Sequence, residues 1–246
     1  MLDFLTYIAA HYWFPLLLIA FVAFCFFSVL TVCCLETHAI RQFQPGAPEE
    51  AGPPSRYFTV MNQTAEVLEF RHCGNFVQQR GSSLYRCCLS LWLSPDQNTL
   101  VVIGGGKLAK MDYKRTFFLS LFDDGKELVT VDAFGLADLS RTRDIDVVVN
   151  ADLFELKSRH DQRVGRYPLP LKLFSPTQCL EQYEDLGRIR AETLVARGLA
   201  RFRDRSESTW RYTIKGAWAY AVHGYLMGLK KAELQSDRAG KRRPGS

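Results

Sequence analysis

The chain has 246 residues, 47% hydrophobic and 23% charged, enough apolar mass for one or two packed units and too much for a disordered segment. Seven cysteines over this length exclude a small disulfide-stapled scaffold, and the charged content excludes a many-span membrane bundle. The net charge of +5 is unevenly placed: residues 1–40 hold Asp3 and Glu36 and no Lys or Arg, whereas 230–246 hold Lys230, Lys231, Arg238, Lys241, Arg242 and Arg243 against Glu233 and Asp237.

After a short tail (1–12), the run from Trp13 to Leu35 is 23 residues without a charge, fourteen of them Leu, Ile, Phe or Val. As a helix it is about 34 Å long, enough to cross a hydrocarbon layer of ~30 Å. Pro15 falls in its first turn, where a missing N–H costs little, and Tyr12 and Trp13 suit a membrane interface. A cleaved signal peptide would carry a basic segment before a shorter apolar run, and neither is present. The expectation is a single transmembrane helix with Trp13 and Leu35 as its ends, in the cell membrane. Arg41 and Arg56 follow it and no basic residue precedes it, which places the C-terminal domain on the cytoplasmic side. Cys73, Cys87, Cys88 and Cys179 show no framework spacing, as expected of reduced thiols there.

Residues 36–56 contain Pro45, Pro48, Pro53 and Pro54 with Gly46 and Gly52, the composition of a semi-extended linker. From Arg56 to about Asn150 the pattern is strand-like. Tyr85, Cys87, Leu89, Leu91 and Leu93 alternate with Arg86, Cys88, Ser90 and Trp92. A turn at 95–98 leads into Thr99–Ile103, and Asp123-Asp124-Gly125-Lys126 reads as the tip of a hairpin. Ile145–Val149 gives another buried strand. Strands joined by short turns predict an antiparallel sheet of about five to seven strands.

Beyond Asn150 the period lengthens. Asp152 with Glu155 forms a capping box for a helix to about Val164. Ser175-Pro176-Thr177-Gln178 has the cap, first-turn proline and reciprocal Gln of a second helix, ending near Gly198. Ala200–Arg203 and Trp210–Ile214 form a hairpin, and a last helix covers roughly 216–234, before a basic tail at 236–246. The fold class is therefore α+β: a transmembrane helix, an antiparallel sheet, then helices with a C-terminal helix–hairpin–helix in a soluble domain over 57–235.

Chemistry-bearing motifs are sparse. Gly104-Gly105-Gly106-Lys107 follows a strand, but Leu108 stands where a phosphate loop needs Ser or Thr, so a flexible turn is expected. Asp144, Asp146 and Asp152 are the carboxylates that a metal-dependent enzyme would use. His72-Cys73 and His160 with Cys179 are the residue types of a thiol nucleophile and its base, without a spacing that ties them together. Arg188, Arg190, Arg197, Arg201, Arg203 and Arg205 give the helix and hairpin a basic surface, with the outline of half a winged-helix DNA-binding unit. The preceding loop, with Pro168 and Pro170, is too long for a helix-turn-helix. Asn62-Gln63-Thr64 is a lone acceptor triplet for glycosylation. The reading is a membrane-anchored binding or scaffolding module with no catalytic constellation and no cofactor. Its partners are the lipid bilayer and another protein, with nucleic acid disfavoured. A metal-using enzyme and a tethered nucleic-acid binder are the alternatives.

Overall fold

The computed structural model describes positions 15, 17, 19, 22–24 and 26–27 and residues 37–39, 43–51, 56–78, 85–108, 111–132, 138–149, 151–204 and 209–223. Trp13 and Leu35, most of the expected span, residues 224–246 and with them the basic tail lie outside the described residues. Among the described residues no helix is long and apolar enough to cross a membrane. The described positions from Pro15 to Phe27 are helical, and Leu17, Ile19, Val22, Phe24 and Phe27 are 57–70% exposed.

The domain is α+β, built on one large sheet in the order β2-β3-β4-β5-β6-β7-β8. Its strands are β2 (Phe43–Pro45), β3 (Arg71–Gln78), β4 (Tyr85–Leu93), β5 (Thr99–Leu108), β6 (Met111–Phe122), β7 (Glu127–Val131) and β8 (Arg143–Val147). A short β9 (Leu171–Lys172) pairs with the end of β6. A second sheet of three strands joins β1 (His38–Ala39), β11 (Thr209–Tyr212) and β10 (Ala200–Asp204). Helices α1 (Arg56–Val67) and α2 (Leu153–Val164) cover one face of the large sheet, and α3 (Cys179–Ala196) covers the other. A further helix, α4, runs through 214–223.

The alternation along β4 is as expected, but both of its faces are buried. Leu89, Leu91 and Leu93 pack toward α3, while Cys88 and Trp92 join Phe58 and Met61 of α1. The same alternation sends Val102, Leu119 and Val129 to the α3 side and Val101, Ile103 and Phe118 to the α1 side. A sheet covered twice reads as near-continuous apolar strands, which explains runs such as Leu100–Ile103.

Four sequence expectations need correction. Residues 56–67 are a helix, not a strand: Phe58, Met61 and Ala65 recur at helical spacing and all three are buried. The sheet is mixed, because β8 pairs with β7 in parallel, a pairing that no two-residue hairpin turn can join. The stretch 36–56 is not simply a spacer, since β1 pairs with β11, β2 pairs with β3, and a 3-10 turn spans Pro48–Ala51. Gly104–Gly106 lie within β5, paired on both sides, and not in a turn.

The glycine run has a packing reason. A Cβ on Gly105 would come within 2.8 Å of the Phe58 ring, so its absence lets α1 lie flat on the sheet. The helix ends are mostly as read. Asp152 caps α2, accepting from the Glu155 N–H at 2.8 Å, and Gly198 takes φ +67° just after α3. Ser175 is different: residues 175–178 form a turn, α3 starts at Cys179, and it is Gln182 that reaches back to the Ser175 N–H at 2.8 Å.

Candidate functional site

Two adjoining cavities of about 210 and 190 Å³ lie on the α3 side of the large sheet and share Phe43, Arg143, Tyr183 and Arg190. Alternation sets the floor: Val102 and Gly104 of β5, Arg115 and Phe117 of β6, Glu127 of β7 and Arg143 of β8 all face this side. α3 supplies Tyr183 and Arg190 as the overhanging wall. Gly104 places no side chain on the floor, so successive glycines serve opposite purposes, a snug helix contact on one face and open space on the other.

The cleft is held by charge. Arg190 donates to the Glu127 carboxylate at 2.6 Å, and Thr142 Oγ1 lies 3.5 Å from the same side chain. Arg143 is 3.7 Å from Asp138, and Asp138 also accepts the backbone N–H groups of Ser140 and Arg143. On the rim, Glu184 accepts the Phe43 N–H at 3.1 Å. Burial pushes the Glu127 carboxyl up, against the pull of Arg190 and Arg143; burial and the neighbouring Arg190 depress Arg143. The carboxylates lie deeper than the guanidiniums: side-chain exposure is 2% for Glu127 and 9% for Asp138, against 13% for Arg143 and 20% for Arg190.

On the opposite face, hydroxyls do most of the pairing. His160 of α2 is fully buried beneath the sheet, its ring nitrogens each 3.0 Å from Ser120 Oγ and Thr130 Oγ1. Burial, with Arg163 and Lys157 adding to it, lowers its pKa to about 3, so it is neutral at physiological pH. Tyr57 of α1 donates to Asp132 and pairs with Thr116 Oγ1 at 2.6 Å, tying α1 to the sheet.

The residues singled out from sequence are largely dispersed. Asp144 pairs with Arg163 at 2.9 Å, Asp146 pairs with Arg159 at 2.7 Å, and Asp152 is the α2 cap; among the described residues no group of carboxylates, His and Cys converges as a metal site. The metal-using alternative therefore loses its residues. The basic surface is largely spent internally as well: Arg188 pairs with Asp185 and Glu192, Arg190 with Glu127, Arg197 with the Leu139 carbonyl and Arg203 with Thr37. Asn62 sits on α1, donating to the Phe58 carbonyl and accepting the Trp92 indole N–H, both at 2.7 Å. His72 lies against the Trp92 ring, and neither it nor His160 is hydrogen-bonded to a cysteine. Instead, Cys73 and Cys179 are brought together, Sγ to Sγ 2.7 Å.

Sequence reasoning missed the cleft because Glu127, Arg143 and Arg190 come from three distant elements with no local pattern. The only signal available was an isolated Glu opening an otherwise apolar strand, Glu127–Val131, since a buried carboxylate requires a cationic partner. Comparison with known protein families, with curated proteins and with solved structures finds no match.

Proposed function

We propose that this chain is a membrane-tethered binding module in which the residues from Trp13 to Leu35 form the tether and the cleft under α3 is the recognition site. The observation that carries the tether is the outward display of Leu17, Ile19, Val22, Phe24 and Phe27 on a helix. Five large apolar side chains facing outward within eleven residues are costly in water and favourable in hydrocarbon. The following domain stands on the cytoplasmic side, consistent with Arg41 and Arg56.

The cleft suits a ligand bearing a carboxylate or phosphate group. Its carboxylates lie at the bottom and orient the guanidiniums, which form the more accessible layer, and Phe43, Phe117 and Tyr183 offer aromatic walls. Nothing in the arrangement supplies a nucleophile with its base, so binding is the better-supported activity.

Two measurements test this reading. Full-length protein should pellet with membranes and resist carbonate extraction, and replacing Leu17 and Phe24 by Asp should release it; recovery of the unaltered chain in the supernatant would overturn the tether. In detergent micelles, citrate should raise the melting temperature, and Arg115→Gln should weaken citrate affinity about tenfold, so that the rise needs correspondingly more citrate. An unchanged response in Arg115→Gln would remove the cleft as the site.

A further inference from the structure

We propose that Cys73 and Cys179 are a redox-active pair that closes into an intramolecular disulfide, clipping β3 to the first turn of α3. The local backbone builds this contact. In the pairing of β3 with β4, His72 opposes Trp92 and Gly74 opposes Leu91, leaving Cys73 as the extra residue of a β-bulge. Gly74 takes φ +144°, a conformation that glycine accepts readily. A bulge re-aims the side chain it carries, and this one directs Cys73 off the ladder toward α3. Cys179 is the first residue of α3 and is buried against the same face of the sheet. The two sulfurs, 106 positions apart in sequence, lie 2.7 Å from one another. An S–S bond is about 2.05 Å long, so bonding requires a movement of well under 1 Å.

The contact also distinguishes the two thiols. The hydrogen bond between them raises Cys73 and lowers Cys179, and the nearby Arg71 favours the thiolate of both. Cys88, in contrast, is a core thiol pushed up to about 11 by burial. The oxidant is a low-molecular-weight disulfide. Cys73 is half-buried whereas Cys179 is buried, so Cys73 meets it first, and it reacts once the proton of the shared hydrogen bond has passed to Cys179, against the direction in which that bond holds it. The Cys73 thiolate attacks one sulfur and forms a mixed disulfide, and the displaced small thiolate leaves with the proton given up by Cys73. The Cys179 thiolate then attacks Sγ of Cys73, and the second small thiol leaves with the proton of Cys179. Overall two protein thiols yield two electrons and two protons to one small disulfide, which departs as two thiols.

The pair is independent of the ligand reading of the cleft, although it fastens the end of the helix that carries Tyr183 and Arg190. The test uses full-length protein in detergent micelles, equilibrated over a range of oxidised-to-reduced glutathione ratios, acid-quenched, alkylated and mapped by peptide mass. The expected result is a Cys73–Cys179 linked peptide that appears with a single midpoint, two of the seven thiols being lost together. The oxidised form should melt at a higher temperature than the reduced one, and Cys73→Ala should abolish both the linked peptide and the melting difference. Cys179→Ser should arrest the reaction as glutathione on Cys73. Glutathione accumulating on Cys73 in the unaltered chain, or both thiols surviving excess oxidised glutathione, would overturn the proposal. A linked peptide joining Cys73 to Cys87 or Cys88 would overturn it equally.

Discussion

The two faces of the large sheet solve the same problem differently. Beneath α1 and α2 the buried polar groups are matched mainly to hydroxyls: His160 lies between two of them, and Tyr57 reaches Thr116 and Asp132. Beneath α3 the sheet instead carries Glu127, Arg115 and Arg143, opposed by Arg190, and leaves space among them. A neutral network can be sealed at little cost once every donor and acceptor is paired. A charged one stabilises only while each partner stays in place. The first face acts as foundation, and the second accepts charge and an opening, the combination expected where a protein meets something else.

Perturbations at four places would break or sharpen that contrast. The largest effect is expected from Glu127→Gln, which leaves Arg190 without its buried counter-charge and should cost about 3–5 kcal/mol in urea unfolding. The paired change Glu127→Leu with Arg190→Met should recover most of that loss; no recovery would mean that the carboxylate matters for something other than its charge partner. The His160 face should reveal itself through pH. His160 carries its proton less readily in the folded chain, at about 3, than in the unfolded one near 6.5. Its contribution is therefore complete above pH 6.5 and is lost as pH falls toward 3, amounting to about 2 kcal/mol by pH 5. Unfolding midpoints at pH 7 and pH 5 should differ accordingly, and the difference should shrink in His160→Gln.

The glycine run gives a smaller and more local comparison. Gly105→Ala should cost about 1–2 kcal/mol, because the new methyl group meets the Phe58 ring. Gly104→Ala, on the floor of the cleft, should change stability by less than about 1 kcal/mol while impairing citrate binding. Equal costs at the two positions would refute the division of labour between the faces. Asp152→Ala should cost about 1 kcal/mol from the lost α2 cap, read as a small fall in melting temperature without change in ligand response.

What could be read in advance was whatever depends on neighbours in sequence. The Asp152 cap, the period of two along β4 and the Gly125 turn, with φ +82°, are all local devices, and each appears where it was expected. α1 escaped because Tyr57, Phe58, Thr59 and Val60 are β-favouring residues in a row, and tertiary burial of Phe58, Met61 and Ala65 overrides that preference. The direction of β8 was also hidden. Alternation of Asp144 and Asp146 with Ile145 and Val147 marks a strand but carries no information about its partner's polarity. Gly104–Gly106 look like a turn until Phe58, far upstream, is seen to occupy the space they leave. The cleft and the Cys73–Cys179 contact belong to the same class, being meetings between elements rather than properties of any one of them.

The short pairings of residues 38–39 and 43–45 have a practical consequence for anyone trimming the chain. Cutting before residue 57, where composition alone marks the start of the domain, would strip β1 from β11 and β2 from β3. Two rows of backbone donors and acceptors would then face solvent, an invitation to strand-to-strand aggregation. A fragment that starts at residue 37 keeps both seams closed and should be the better-behaved piece.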